Sequence, residues 1–286
     1  LADGSVTEFG WVDLDELQSQ ADPEGDLEAR IYAAVDSILE TDRSRIEERY
    51  PDLKRNVSGY NLDVLVEDAE NRGAVNLGRL LAGSEGTLAV ITEATVSLEP
   101  IPNATAVTLL TYPDLQDALA DVAPILNHDP AAVEVMDDVF LEKAAERPEF
   151  AAVVDLLPEG TAATLLVEFY GDAEQAVEQD VSTLLADRAP DTALPAEPTR
   201  RVESGADRRA ADALVAFDED RRAKFWTMRK AGLPILLSNT GDQRHWAFVE
   251  DTAVPPEHLP EYVAALEAVL ADHGTVASYY AHAGPG

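Results

Sequence analysis

The sequence predicts an α+β fold in two parts, and three observations support this prediction. Residues 11–56 are strongly acidic, and residues 57–102 are short elements punctuated by glycine. From residue 103 onward, short apolar strands alternate with longer amphipathic helices, an order that packs helices against one sheet. Hydrophobic residues make up 46% of the 286 residues, which is enough for a buried core.

The charge of the chain excludes several kinds of partner. Asp and Glu number 55 while Lys and Arg number 21, so the formal net charge is −34 at pH 7. A field of this sign repels the phosphates of nucleic acids and anionic lipid head groups, so we expect no nucleic-acid partner. No apolar run approaches the roughly 20 residues of a membrane span. We therefore expect a cytoplasmic protein without a membrane span.

Two further features of the composition narrow the class of protein. The chain has no cysteine, which excludes disulfides, thiolate metal sites and cysteine nucleophiles within it. The acidic residues are spread over the whole length, and lysine is rare. Such a composition is typical of a surface that stays hydrated in concentrated salt, so we predict a halophilic protein.

Two helices and one strand are predicted in the first part. Apolar residues recur at helical spacing over Leu27–Leu39, and a second helix is expected over Ser44–Tyr50. Apolar and polar residues alternate over Ala89–Leu98, which predicts a strand. The opening Leu1–Gly10 is typical of a hairpin that lacks its first strand. We therefore expect the chain to be an internal fragment of a longer protein.

The second part repeats a strand–helix pattern. Its strands alternate apolar and polar residues, and its helices carry apolar residues on one face. Strands are expected at residues 106–111, 133–136, 164–170, 246–254 and 275–280, and helices at 114–126, 138–145, 173–187, 207–230 and 256–273.

One glycine-rich segment, Leu81–Glu93, has a composition suited to binding. Two glycines flank a Ser-Glu pair and lead directly into an apolar stretch. Glycine lets the backbone approach a ligand, and free N–H groups in such a turn can face an anion. A tight turn before a strand has the same pattern, and the segment is neither a Walker loop nor a dinucleotide fingerprint. The pattern alone leaves both readings open.

Several blocks of the sequence resemble a known family. Asn56–Leu62 and Leu81–Glu93, with GSEGTL intact, are similar to the closing part of the flavin-binding domain of FAD-linked oxidases of the vanillyl-alcohol-oxidase (PCMH) type. This group includes D-lactate dehydrogenases and glycolate oxidase subunits. Four later blocks are similar to the C-terminal substrate domain of the family: Ala132–Asp137, Phe225–Lys230, Phe248–Pro255 and Tyr280–Gly284.

The resemblance implies two domains and one cofactor. Residues 1–102 would be the C-terminal portion of a PCMH-type FAD-binding domain, and residues 103–286 a ferredoxin-like α/β substrate (cap) domain. The glycine-rich pyrophosphate loop of the family is absent here, so we expect this chain to bind FAD weakly or not at all. The residues implied to line FAD are Gly59, Tyr60, Asn61, Gly83, Ser84, Glu85, Gly86, Thr87, Val90 and Ile91.

The resemblance also implies catalytic residues. Arg229, in a W-x-x-R block, matches the arginine that binds the substrate carboxylate. His282 matches the first histidine of an H-x-G-x-G-x-x-H segment, whose two histidines bind a divalent metal in some members. The second histidine is absent here, so we expect no tight metal site. Glu134 also matches a family position, and we interpret it as structural before catalytic.

These implications give one leading function and two alternatives. We expect FAD-dependent oxidation of a D-2-hydroxy acid of the lactate or glycolate class. Electrons would pass to an iron–sulfur segment, a quinone or a cytochrome outside this chain, which could also hold the protein at a membrane surface. The alternatives are a flavin-less subunit that serves assembly and a non-redox FAD enzyme of the same fold.

Overall fold

The computed structural model describes residues 1–51, 59–189, 210–238, 245–247, 249–250 and 252–285. The chain divides into two compact units, Leu1–Leu98 and Glu99–Gly286, which we call the first unit and the second unit. The division falls close to the boundary at residue 102 that the sequence predicts.

The first unit is mainly helical. Two short strands pair antiparallel, with Val12 opposite Val75. The N-terminal end of the longest helix is capped by Asp26, whose side chain accepts a hydrogen bond from the Ala29 amide at 2.9 Å. Both predicted helices are present. The elements are β1 (Trp11–Asp13), α1 (Leu14–Gln20), α2 (Leu27–Thr41), α3 (Arg43–Arg49), α4 (Leu62–Arg72), β2 (Ala74–Asn76) and α5 (Leu77–Leu81).

The prediction of a strand over Ala89–Leu98 is wrong. Residues 88–98 have no regular secondary structure, and Val90 and Leu98 are 85% and 88% exposed. A strand forms only where its N–H and C=O groups find a neighbouring strand. Among the described residues, no main-chain hydrogen bond joins this segment to another strand.

The described residues of the second unit form an antiparallel sheet of five strands with helices on both faces. In order along the chain its elements are β3 (Ala104–Tyr112), α6 (Leu115–Leu126), β4 (Ala132–Asp137), α7 (Asp138–Ala145), α8 (Pro148–Val154), β5 (Ala163–Gly171), α9 (Glu174–Arg188), β6 (Asp212–Ala216), α10 (Glu219–Lys230), α11 (Gly232–Leu237), a 3₁₀ turn (Pro256–His258), α12 (Leu259–Asp272) and β7 (Tyr280–Ala281).

The sheet order is β6-β3-β5-β4-β7, and every neighbouring pair is antiparallel. The first four strands in chain order, with α6 and α9 between them, form the β-α-β-β-α-β arrangement of ferredoxin-like folds. The predicted α+β class and the ferredoxin-like second part are therefore confirmed.

Three predicted elements of the second unit differ from the structure. The helix expected from residue 207 begins only at Glu219, because the apolar run Asp212–Ala216 pairs with β3 as an edge strand. A short apolar run fits a helix or a strand equally well until its partner is known. The described residues of 246–254 form no strand, and of residues 275–280 only the last lies in β7.

Alternation along the strands divides the core of the second unit between the two faces of the sheet. On one face, Leu110 and Leu165 pack against α6, α9 and α12. On the other face, Leu109, Met136 and Leu166 pack against α7, α8, α10 and α11. The second face also carries the buried carboxylates of Glu134 and Glu168.

Candidate active site

A buried carboxylate joins the two residues that the sequence predicts to be catalytic. Glu134 lies on β4, and its side chain is 4% exposed. Its Oε2 accepts hydrogen bonds from Nε of Arg229 at 2.9 Å and from Nη2 of Arg229 at 2.8 Å. Its Oε1 lies 2.7 Å from Nδ1 of His282. The structure thus brings Arg229 and His282 together on one side chain.

The register of the edge strand explains why His282 lies there. β7 pairs with β4 so that Tyr280 lies opposite Met136 and Ala281 opposite Val135. Extending this register by one residue places His282 opposite Glu134, on the same face of the sheet. The amide of Gly284 donates to the Val133 carbonyl at 3.0 Å, which holds the chain along β4 beyond His282.

The guanidinium of Arg229 lies against the ring of Tyr280. Its central carbon lies 4.9 Å from the centre of the Tyr280 ring, and this ring stacks on Phe140 with 6.2 Å between centres. Gly232 leaves room for the ring, because a Cβ there would lie 2.7 Å from it. Burial raises the pKa of the Tyr280 hydroxyl, and the positive charge of Arg229 opposes that rise.

A second buried carboxylate lies on the neighbouring strand. Glu168 on β5 accepts a hydrogen bond from Nε1 of Trp226 at 2.9 Å. Trp226 and Arg229 are one turn apart on α10, so the two residues of the W-x-x-R block each bind one carboxylate of the sheet. This double attachment fixes the rotation of α10 on the sheet.

Asp137 anchors the segment that carries His282. It ends β4 and caps α7, accepting from the Phe140 amide at 2.8 Å. It also accepts from the Ser278 hydroxyl at 2.9 Å and from the Tyr279 amide at 2.6 Å. Burial raises the pKa of Asp137 to about 6, although these three donors favour the ionised form.

In the first unit, the Gly83–Thr87 loop contains three residues in the left-handed region of backbone conformation. Gly83, Glu85 and Gly86 all have positive φ, at 78°, 50° and 74°. Glu85 is the one non-glycine residue among them, and this conformation costs a side chain about 1 kcal/mol. The Thr87 amide and hydroxyl both donate to the Ser84 carbonyl, at 3.0 and 2.6 Å.

Two side chains tie this loop to the preceding block. The hydroxyls of Tyr60 and Thr87 are 2.9 Å apart, and Nδ2 of Asn61 donates to the carbonyls of Arg79 and Ala82 at 3.0 and 3.1 Å. Gly59 comes close to the loop, because a Cβ on Gly83 would lie 3.8 Å from its carbonyl oxygen. The structure brings the two predicted blocks together, while residues 56–58 lie outside the described residues.

The residues of the loop fit a flavin nucleotide. The amides of Glu85 and Gly86 bond to no other described residue, and backbone amides in a turn of this kind are donors that suit an anion or a ring acceptor. Val90 and Ile91 expose apolar surface directly after the loop, at 85% and 56%. Amide donors beside apolar side chains suit a ligand that combines polar edges with a flat apolar ring.

The residues present do not fit a divalent metal. No group of three metal-ligating side chains occurs within the described ranges. His282 offers one ring nitrogen, Nε2, because its Nδ1 is bonded to Glu134. A zinc or similar ion needs at least three protein ligands at a catalytic site. We therefore assign no step of the chemistry to a metal held by this chain.

Some contributors to this arrangement are not evident from the sequence. Glu134 is interpreted there as structural, and nothing in its pattern indicates that it joins Arg229 to His282. Tyr280 and Asp137 lie in blocks that resemble the family, but neither is given a role there. One signal in the sequence could have indicated this pairing. Tyr280 and His282 are two residues apart, as are Glu134 and Met136, which fits two paired strands that place all four side chains on one face.

Comparison with known proteins identifies a family. The model of the family described as FAD linked oxidases, C-terminal domain, matches residues 101–286. The prediction of an FAD-linked oxidase family, with FAD as its cofactor, is therefore confirmed. No helix of the described residues combines the length and the apolar character that crossing a membrane requires.

Individual relatives carry names of related activities. D-2-hydroxyglutarate dehydrogenase of Pseudomonas putida is 30% identical over 90% of this chain and 24% of its own length. D-lactate dehydrogenase [cytochrome], mitochondrial, of Arabidopsis thaliana is 27% identical over 97% of this chain and 46% of its own. Glycolate oxidase subunit GlcD of Escherichia coli is 28% identical over 78% of this chain and 40% of its own. The chain thus spans a quarter to a half of the length of these relatives.

Proposed function

Because the chain belongs to the FAD-linked oxidases through their C-terminal domain, we propose that it is part of an enzyme that oxidises a D-2-hydroxy acid. The observation that carries this proposal is the meeting of Arg229 and His282 on the carboxylate of Glu134. Oxidation of a hydroxy acid requires a cation for the carboxylate and an acceptor for the hydroxyl proton. The names of the relatives support the same class of substrate.

In this proposal Arg229 binds the carboxylate of the substrate. Its Nε and Nη2 donate to Glu134, while Nη1 has no partner among the residues that the structure describes. A guanidinium stays charged at every relevant pH and forms strong charge-assisted hydrogen bonds to carboxylates. The Arg229 side chain is only 9% exposed, so an ion pair with substrate is less screened than at an open surface.

His282 accepts the hydroxyl proton at Nε2. The Glu134 carboxylate has only acceptor atoms, so the hydrogen of the neutral ring lies on Nδ1 and the lone pair on Nε2. The side chain is 59% exposed, so a substrate can reach this nitrogen. The substrate then loses one proton and one hydride and becomes a 2-oxo acid.

The loop of the first unit would hold FAD. The residues concerned are those predicted from the sequence, with the amides of Glu85 and Gly86 as donors and Val90 and Ile91 as apolar contacts. When bound, FAD supplies the acceptor of the hydride. Titration of the chain with FAD in molar KCl, followed by visible absorption, tests this assignment. Measurable binding that Gly86→Val weakens supports it, and measurable binding that is equal in both chains contradicts it.

We also propose a class of acid, an electron acceptor and a cytoplasmic location. We propose a small acid of the lactate or glycolate class. An iron–sulfur segment, a quinone or a cytochrome would take the electrons, and the name of the Arabidopsis thaliana relative supports a cytochrome. D-2-hydroxyglutarate, in the name of the Pseudomonas putida relative, carries a second carboxylate and is the competitor to test.

The experiment is calorimetric titration of the 286-residue chain with D-lactate, glycolate and D-2-hydroxyglutarate. We expect one of these acids to bind, and Arg229→Lys to lower the affinity for it by about 10-fold or more. Unlike the planar guanidinium, the single ammonium group of lysine cannot bind Glu134 and the substrate through separate nitrogens. Arg221→Lys on the first turn of the same helix is the matched control, because Arg221 lies near Asp218 at the surface. Equal affinity in the wild type and Arg229→Lys contradicts the proposal.

A further inference from the structure

We propose that Glu134 is a positioning residue that fixes two groups at once: it holds His282 in the Nδ1–H tautomer and holds the guanidinium of Arg229 by one edge. This inference deepens the proposed function and rests on it. It concerns a residue that is interpreted from the sequence alone as structural, and that touches neither substrate nor cofactor in the proposed reaction.

The two oxygens of Glu134 have different partners. Oε2 accepts both hydrogen bonds from Arg229, and Oε1 is 2.7 Å from Nδ1 of His282. A carboxylate that accepts from a guanidinium has no hydrogen to donate, so the bond to His282 requires Nδ1–H. A histidine that lacks such a partner exchanges between its two neutral tautomers. Glu134 therefore determines which nitrogen of His282 carries the lone pair.

The same carboxylate fixes how Arg229 can meet a ligand. With Nε and Nη2 directed at Glu134 and the Tyr280 ring 4.9 Å from the guanidinium carbon, the edge that carries Nη1 remains for an anion. Tyr280 itself stacks on Phe140 and lies close to Gly232. The guanidinium therefore has little freedom to rotate, and it is already oriented before a ligand arrives.

Both members of the Glu134–Arg229 ion pair are buried. Glu134 is 4% exposed and Arg229 is 9% exposed, so each charge would be costly without the other. His282 is 59% exposed and is paired through a single nitrogen. A purely structural role for Glu134 needs only the pair with Arg229, whereas the positioning role also needs the bond to His282. The tautomer of His282 separates these two roles.

The test is a long-range ¹H–¹⁵N correlation spectrum of the histidine rings in the 286-residue chain at pH 8. The signal of His282, one of five histidines, is assigned by its loss in His282→Gln. We expect the Nδ1–H tautomer in the wild type and a change of the majority tautomer in Glu134→Gln, whose amide can donate to the ring. Glu168→Gln, which alters the buried carboxylate that binds Trp226, is the matched control and leaves the tautomer unchanged.

Two outcomes overturn the inference: an Nε2–H tautomer in the wild type, or the wild-type tautomer retained in Glu134→Gln. The first outcome does not depend on Glu134→Gln, so the test stands even if that variant does not fold. The titration with hydroxy acids separates this inference from the proposed function. If the tautomer is as expected and no acid binds, the proposed function is contradicted and the inference about the His282 tautomer stands. If an acid binds and Glu134→Gln weakens it about 10-fold, the positioning role is supported by affinity as well.

Discussion

The second unit has a sheet with both faces covered, whereas the first unit has a ladder of two short strands. Leu109 and Leu110, neighbours on β3, are fully buried on opposite faces of the sheet in the second unit. In the first unit, the apolar segment after the Gly83–Thr87 loop lies in the open. The second unit therefore packs apolar residues on both faces of its sheet. The first unit has a smaller core, and its apolar residues between 88 and 98 lie outside that core.

This difference decides how firmly each candidate binding group is held. Arg229, Glu134 and His282 are placed by strand register and by a helix attached to two carboxylates. The loop of the first unit is placed mainly by single hydrogen bonds, such as the one between Tyr60 and Thr87. Register is a cooperative property of a whole sheet, and isolated surface bonds contribute about 1 kcal/mol each.

Hydrogen exchange gives the largest expected contrast between the two regions. We expect amides of β3 and β5 to exchange at least about 10³-fold more slowly than amides of residues 88–98, because only the strand amides are hydrogen-bonded inside a core. Mass spectrometry of peptic fragments measures both in one sample. Strong protection of residues 88–98 would show that the segment is paired in solution, and would remove the contrast.

Glu134→Ala is expected to destabilise the second unit by about 3–5 kcal/mol, because Arg229 is left as a buried charge without its partner. Chemical denaturation followed by circular dichroism measures the change. The exposed Glu142 on α7 is a matched control, and Glu142→Ala should change stability by no more than about 0.5 kcal/mol. Adding Arg229→Met to Glu134→Ala should recover part of the loss. A loss as small as that of the control would contradict the buried pair.

Asp137 should make the stability of the second unit depend on pH. Burial raises the pKa of this carboxyl from 3.8 to about 6, so the folded state binds the proton more tightly than the unfolded state. Its contribution is fully present below pH ~4 and is lost as the pH rises through ~6. The neighbouring charge of Asp138 acts in the same direction as burial.

The measurement is the difference in unfolding free energy between the wild type and Asp137→Asn at several pH values. From pH 4 to pH 7, the wild type should lose roughly 1–3 kcal/mol relative to the variant, since the variant has no proton to release. Asp138→Asn alters the exposed neighbour and should give a much flatter difference. A difference that stays constant across this range, or rises, would show that the donors around Asp137 outweigh its burial.

The smallest expected effect concerns both units together. With a net charge of −34 spread along the whole chain, repulsion opposes the folded state of each unit. Screening by salt reduces this repulsion, so the melting midpoints should rise by several degrees between 0.1 M and molar KCl. Calorimetry at increasing KCl measures them. A midpoint that stays level or falls would contradict the prediction of a halophilic protein.

The sequence by itself determined the class of the fold and most of its local elements. The spacing of apolar residues over Leu27–Leu39 is enough to predict α2, and the glycines of the Gly83–Thr87 loop are enough to indicate a turn. Arg229 and His282 were predicted through resemblance to a family, and the family itself is confirmed. These features depend on neighbours within a few residues, or on motifs that a short segment carries complete.

Only the tertiary structure decided which distant residues meet. Alternation over Ala89–Leu98 predicted a strand that is not formed, and Asp212–Ala216 was expected to be helical but is an edge strand. The meeting of Arg229 and His282 on Glu134 depends on the register of β7 against β4 and on the attachment of α10 to the sheet. Pairing and register are properties of two segments at once, so the pattern of either segment alone cannot determine them.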